Sequence, residues 1–275
     1  MSGGDNTVNP DDPIYDGEDI FSDGTLLGGR VTYRQFRAGY RTGIEPVLMA
    51  AFVPAEPGDT ILEAGCGAGA GLLCLNARLE KIQGVGLEFD PQTAMLAAEN
   101  FRANKAASLI VLQTRVPEMP KTLRDLTNSP NGRFRHSMAN PPWHRHDRPP
   151  SPDRRRSLAL SQPPEGWQRW IATLARWTLP GGTITLALPA AATDEACVAL
   201  REAGCGSIVL LPLWPKAGRA AKLVLVRATV GGRGAFMLAP GLILHQDNGV
   251  FTPHAESILR RMACLTPDGP VVTES

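Results

Sequence analysis

An amide, two prolines and an indole stand in a row at Asn140-Pro141-Pro142-Trp143. Consecutive prolines remove backbone donors and hold the chain extended, so this stretch is a stiff loop and not a helix or an inner strand. The Asn140 side chain offers a carbonyl oxygen to an amino group, and the proline carbonyls offer the same. Trp143 adds a face on which a planar ring can stack. Such a loop suits the capture of a flat molecule carrying an NH2 group. A proline-rich surface turn with a buried Trp is the plain alternative, because motifs this short recur by chance.

A second constellation lies upstream. Thr60-Ile61-Leu62 runs as a short apolar strand into Glu63-Ala64-Gly65-Cys66-Gly67-Ala68-Gly69, and an apolar helix follows from Ala70 to Leu79. Glycines let the backbone approach a ligand closely, and the carboxyl ends of strands are where open α/β sheets bind nucleotides. Glu88 ends the next strand about twenty residues further on, where an acid can grip both ribose hydroxyls. On letters alone, Gly65 to Ala70 also satisfies GxGxxG/A, which leaves a nicotinamide dinucleotide open. Tight turns that hold no ligand are the remaining alternative.

These residues need a scaffold, and the pattern supplies one. A helix at Val47 to Val53 is stopped by Pro54 and Pro57. Strands at Thr60–Ala64, Gly84–Glu88 and Ser108–Gln113 alternate with helices at Ala70–Leu79 and from Pro91 to Asn104. A helix is expected over Thr122–Asn131 and a strand near Phe134–Ala139, although Arg135 and His136 are unusual in a central strand. Glu165–Trp177 reads as a helix ending at Leu179-Pro180-Gly181-Gly182, Thr183–Leu188 as a strand and Thr193–Ala203 as a helix. Ile208–Leu213 and Lys222–Val230 then follow with only a turn between them, so they form an antiparallel pair. Alternation predicts a doubly wound, mostly parallel sheet. A reversed last strand is the plan of S-adenosylmethionine-dependent methyltransferases, whereas a dinucleotide-binding Rossmann domain continues in parallel.

The chain has 275 residues, enough for one α/β domain with embellishments. A net charge of +1 excludes a polyanion binder that works by total charge, but allows a local basic patch. No apolar run is long enough to span a bilayer, and the acidic N-terminus is unlike a signal peptide. Five scattered cysteines without a CxxC point to a reducing, cytoplasmic setting with neither a disulfide framework nor a metal site. There is no internal repeat. Residues 1–20 are expected as a disordered acidic tail, 21–58 as an extension over the cofactor mouth, and 59–275 as the main domain.

Together these residues resemble the bacterial tRNA adenine-N6-methyltransferases that modify the adenine next to the anticodon of valine tRNA. Gly39-Tyr40-Arg41-Thr42-Gly43-Ile44-Glu45 looks like that family's upstream segment, Glu63 to Gly69 its cofactor loop, Glu88 its ribose acid, and Asn140 to Trp143 its catalytic loop. The resemblance implies a class I methyltransferase fold and S-adenosylmethionine as cofactor, held by Glu63, Gly65, Gly67, Gly69, Glu88 and Asn140. It also implies methylation of the exocyclic N6 of an adenine in RNA, most simply tRNA, with Asn140, Pro141, Pro142 and Trp143 as the catalytic group. This sequence departs from the pattern at Glu45-Pro46, where an Asp and a small residue are usual. It departs again at Thr114-Arg115-Val116, where an acid usually holds the cofactor's adenine, and at Trp143, where the family carries Tyr or Phe.

Beyond Trp143, Arg145, Arg148, Arg154, Arg155 and Arg156 face only two acids, Asp147 and Asp153, and can track an RNA phosphate backbone; a solvated loop is the alternative. Arg30, Arg34, Arg37 and Arg41 form a second candidate edge. Trp167, Trp170 and Trp177 recur near helical spacing and read as helix packing. The same Asn-Pro-Pro loop also suits a protein glutamine amide, as in the release-factor methyltransferases. A chain that keeps the cofactor and RNA but has lost catalysis is the third reading. The chain is taken as a monomer, with no metal and no membrane partner.

Overall fold

The computed structural model describes residues 20–38, 41–126, 132–141 and 166–271. An antiparallel hairpin, β1 (Phe21–Leu26) and β2 (Val31–Phe36), precedes helix α1 (Glu45–Phe52). Strand and helix alternate through β3 (Thr60–Ala64), α2 (Ala70–Arg78), β4 (Gln83–Glu88), α3 (Pro91–Ala103) and β5 (Leu109–Gln113). After β6 (Phe134–Ala139) come α4 (Trp167–Trp177), β7 (Thr178–Pro189), α5 (Thr193–Glu202), β8 (Cys205–Trp214) and β9 (Leu223–Val230). The described chain ends in β10 (Met237–Leu238), β11 (Leu242–Ile243), α6 (Pro253–Arg261) and the hairpin β12 (Cys264–Thr266) with β13 (Gly269–Val271).

Nine strands make one sheet in the order β10-β8-β9-β7-β6-β3-β4-β5, with β11 also on β8. All run the same way except β9, which lies antiparallel between β7 and β8. Successive residues of a strand face opposite sides, and β3 follows that rule. Ile61 joins the core built with α1, α2 and α3, while Leu62 and Ala64 join the one built with α4 and α5. The helix expected from Pro91 forms, with Pro91 in its first turn and the Asp90 side chain accepting from Thr93 N–H.

Two expectations are corrected. In place of a helix over Thr122–Asn131 there is a short 3-10 turn at Lys121–Leu126, with 127–131 outside the described residues. Leu123 and Leu126 are its only apolar positions, too few for the stripe that stabilises several helical turns. β7 begins at Thr178 and not at Thr183, because Thr178 ends α4 and enters the sheet at once. Its Oγ donates to Leu174 O at 2.7 Å and lies 2.6 Å from Ser137 Oγ on β6. The strands after Val230 have two or three residues each, too few to show a period in the sequence. The acidic tail falls outside the described residues except for Ile20, whose carbonyl accepts from Arg37 N–H.

His136, unexpected in an inner strand, is buried at the amino end of β6 because it has two partners. Nδ1 lies 2.8 Å from Thr183 Oγ1 and Nε2 lies 3.2 Å from Asp59 Oδ2. Burial outweighs the attraction of Asp59 and brings the imidazole down to about 4. The unfolded chain therefore takes up this proton first as pH falls. Stability from neutral His136 is full above pH ~6.5 and is lost as pH drops toward 4, by about 3 kcal/mol in all. The unfolding free energy of the parent should drop through that window more steeply than that of His136→Asn. The difference between the two chains isolates this group from others titrating nearby; parallel pH curves would rule it out.

Candidate active site

The glycines that follow β3 form a tight reversal. Gly65, Gly67 and Gly69 have φ of 65°, 55° and 86°, a left-handed backbone that side chains resist. A Cβ at Gly69 would collide with the Phe101 ring, whereas one at Gly67 would meet nothing within 4 Å. Gly67 is thus the open point of the loop. Glu63 lies beneath it, only 3% exposed, with Oε2 accepting from Leu72 N–H at 3.0 Å in the first turn of α2. Burial pushes this carboxyl up to about 8 against that hydrogen bond. Its visible work is to hold the start of α2 under the loop.

Glu88 ends β4, next to β3 in the sheet. Its Oε2 accepts from Gly67 N–H at 2.9 Å and its Oε1 from Asp90 N–H at 2.9 Å. Burial raises its pKa, opposed by those backbone donors. Each carboxylate oxygen has a second lone pair, so the group can still accept from two hydroxyls. Asn140 follows β6 on the other side of β3. Ala139 pairs in register with Ala64, so Asn140 and Gly65 leave neighbouring strand ends at the same level. Asn140 is half-buried and Pro141 buried. Pro142, Trp143, Arg145, Arg148, Arg154, Arg155 and Arg156 lie outside the described residues, as do Gly39 and Tyr40.

The N-terminal hairpin is tied to the loop through α3. Asn100 donates to Arg34 O and to Ala68 O, both at 2.9 Å, and accepts from Arg34 N–H at 2.9 Å. One turn on, Asn104 donates to Thr32 O and accepts from Thr32 N–H. Two asparagines thus supply β2 with the partners a further strand would give. Tyr33 Oη sits 2.8 Å from Thr42 Oγ1, and Gln35 accepts from Thr42 N–H, which fixes the segment leading to Glu45. Glu45 Oε2 is buried without a hydrogen-bond partner among the described residues. Arg34 pairs with Asp23, so it is not simply a free cation on a basic edge.

The sequence gives no site role to three residues of this region, Trp170, Phe89 and Asn100. A Cβ at Gly65 would come 3.0 Å from Trp170, whose indole N–H is buried and unpartnered among the described residues. Trp170 does pack on the core beneath α4, but its ring edge also walls the loop. Helical spacing cannot tell those roles apart. Phe89 and Asn100 carry no motif at all. Among the described residues no cluster of ligating side chains could hold a metal, and no helix is long and apolar enough to cross a membrane.

No protein-family model matches the chain. It is 32% identical over 100 residues to the tRNA1(Val) (adenine(37)-N6)-methyltransferase of Yersinia pestis (strain Pestoides F), a match covering 34% of this chain and 40% of the relative. The chain thus spans well under half the length of the curated relatives it matches. A predicted O-methyltransferase from Agrobacterium tumefaciens superposes with a TM-score of 0.63 at 25% identity, over 78% of this chain and 94% of that one. A T. thermophilus 16S rRNA N2 G1207 methyltransferase, solved with AdoMet and guanosine, gives 0.53 at 22% identity over 76% and 50%. The fold is that of the class I S-adenosylmethionine-dependent methyltransferases.

Proposed function

We propose that this chain is an S-adenosylmethionine-dependent methyltransferase acting on the exocyclic N6 of an adenine in RNA, most simply a tRNA near its anticodon. The observation that carries the reading is the placement of Asn140-Pro141 beside the glycine loop, set by the Ala64–Ala139 register. The residues present fit the cofactor. Glu88 has lone pairs for the ribose hydroxyls, Gly67 leaves backbone open to a ligand, and the orphaned Glu45 oxygen suits a cationic group. When bound, S-adenosylmethionine supplies a methyl group made electrophilic by its sulfonium.

What the chain adds is orientation. An aromatic amine is a poor nucleophile because its lone pair is delocalised into the ring. Asn140 Oδ1 and the Pro141 carbonyl accept hydrogen bonds from its two N–H groups and favour a pyramidal nitrogen, which localises that pair toward the methyl. The extruded base stacks on Trp143, and the arginines beyond it track phosphate. No strong base is required before attack, since the proton leaves an already cationic product. A hydroxyl acceptor would need such a base, and the group at the end of β6 is an amide. The partial match to tRNA adenine-N6-methyltransferases supports the base over a protein amide.

The test is direct. Incubated with S-adenosylmethionine and RNA lacking the modification, the chain should yield N6-methyladenosine in the digested nucleosides. Methyl on a protein glutamine, or on neither substrate despite bound cofactor, would overturn the reading. The ribose contact has its own expected result. Glu88→Ala should weaken S-adenosylhomocysteine binding by about 1.5–3 kcal/mol in calorimetry, the scale of hydrogen bonds to a charged group. Unchanged affinity would remove Glu88 from the site, and tighter binding of NADH would replace the cofactor.

A further inference from the structure

The four strand ends that carry the site lie side by side in the order β6, β3, β4, β5. Asn140 leaves β6, the glycines leave β3, Glu88 ends β4, and Thr114-Arg115 leaves β5, where Glu88 pairs in register with Gln113. At about 4.8 Å per strand, the row spans roughly 14 Å. A ligand whose ribose is on Glu88 and whose reactive end faces Asn140 must point its base the other way, over the end of β5. There the side chains are Phe89 and Arg115. The Arg115 guanidinium sits 4.0 Å from the Phe89 ring centroid, and Phe89 is still 44% exposed. Among the described residues Arg115 shows no carboxylate partner and no hydrogen bond.

Resting on the cofactor reading above, we infer that the Arg115–Phe89 pair is the platform for the cofactor's purine, and that it recognises the base by stacking without reading its 6-amino group. A carboxylate after β5 would accept from that amino group. A guanidinium has only donors, so it offers the amino group nothing. It does give the flat base a cation on an aromatic face, and both surfaces are indifferent to the substituent at C6. The departure at Arg115 is therefore a change in how the nucleoside is recognised, not a loss of the site.

Calorimetry with S-adenosylhomocysteine and its inosine counterpart, in which the 6-amino group is an oxygen, tests this on the full chain. The parent should bind the two within about threefold of each other. Arg115→Asp should restore an acceptor and favour the adenosine form by about tenfold, the value of one added hydrogen bond. Phe89→Ala should weaken both ligands alike, by about fivefold or more. A parent that already prefers the adenosine form by about tenfold, or a Phe89→Ala chain that binds both ligands as the parent does, overturns the platform while leaving the cofactor reading intact. If the parent binds neither ligand, the cofactor reading itself fails, and the platform with it.

Discussion

Asn140→Ala should lower methyl transfer by about two to three orders of magnitude and change cofactor affinity far less, because Glu88 and the glycine loop carry most of the cofactor contact. One preorganised acceptor aimed at the reacting nitrogen is removed, and losses of that kind fall on turnover, not on ground-state binding. The separation of effects follows from the placement of Asn140. It stands at the end of β6, on one side of β3, whereas the glycines leave β3 itself and Glu88 ends β4 on the far side. Asn140→Asp keeps an acceptor and should retain part of the activity. Single-turnover methylation of an adenine-containing RNA reads both variants. Equal rates for Asn140→Ala and the parent would make the loop a structural turn and remove the proposed chemistry.

The strand ends were legible in the sequence because each carries its own local signal. Glycines mark the end of β3, an acid marks the end of β4, and prolines mark the end of β6. The reversed β9 was legible because only a turn separates Ile208–Leu213 from Lys222–Val230, which leaves no room for a crossover helix. What stayed hidden depends on tertiary partners. Nothing near His136 announces Asp59 or Thr183, which are distant in the chain and meet it only in the folded sheet. The start of β7 is hidden in the sequence because Pro180-Gly181-Gly182 looks like a helix stop. In the fold the adjoining Thr178 is held by Leu174 and Ser137, so the strand runs through the glycines. The edge strands β10 and β11 have two residues each, below any period that a sequence can show.

Asn100→Ala should be the most destabilising substitution outside the cores, because three hydrogen bonds converge on a side chain that is 2% exposed. Removing it leaves Arg34 N–H, Arg34 O and Ala68 O without their partner. Each net bond is worth about 1 kcal/mol, and orphaned buried groups add to that, so a loss of about 3–4 kcal/mol is expected. For a chain of this size that is roughly 6–10 °C in Tm. Asn100→Asp is nearly isosteric but removes both donors and turns a negative oxygen toward two carbonyls, so it should fare no better. Asn104→Ala, on the exposed end of the same pair, should cost only about 1 kcal/mol. The effect should also reach function, because Ala68 belongs to the glycine loop. Freed from Asn100, that loop loses its tie to β2, and S-adenosylhomocysteine should bind about tenfold more weakly, in line with one lost positioning bond. Thermal unfolding and calorimetry on the three variants separate these outcomes. An Asn100→Ala chain that melts with the parent would show that the hairpin is held by its apolar contacts alone, Val31 and Tyr33 among them, and that the asparagine ladder contributes nothing.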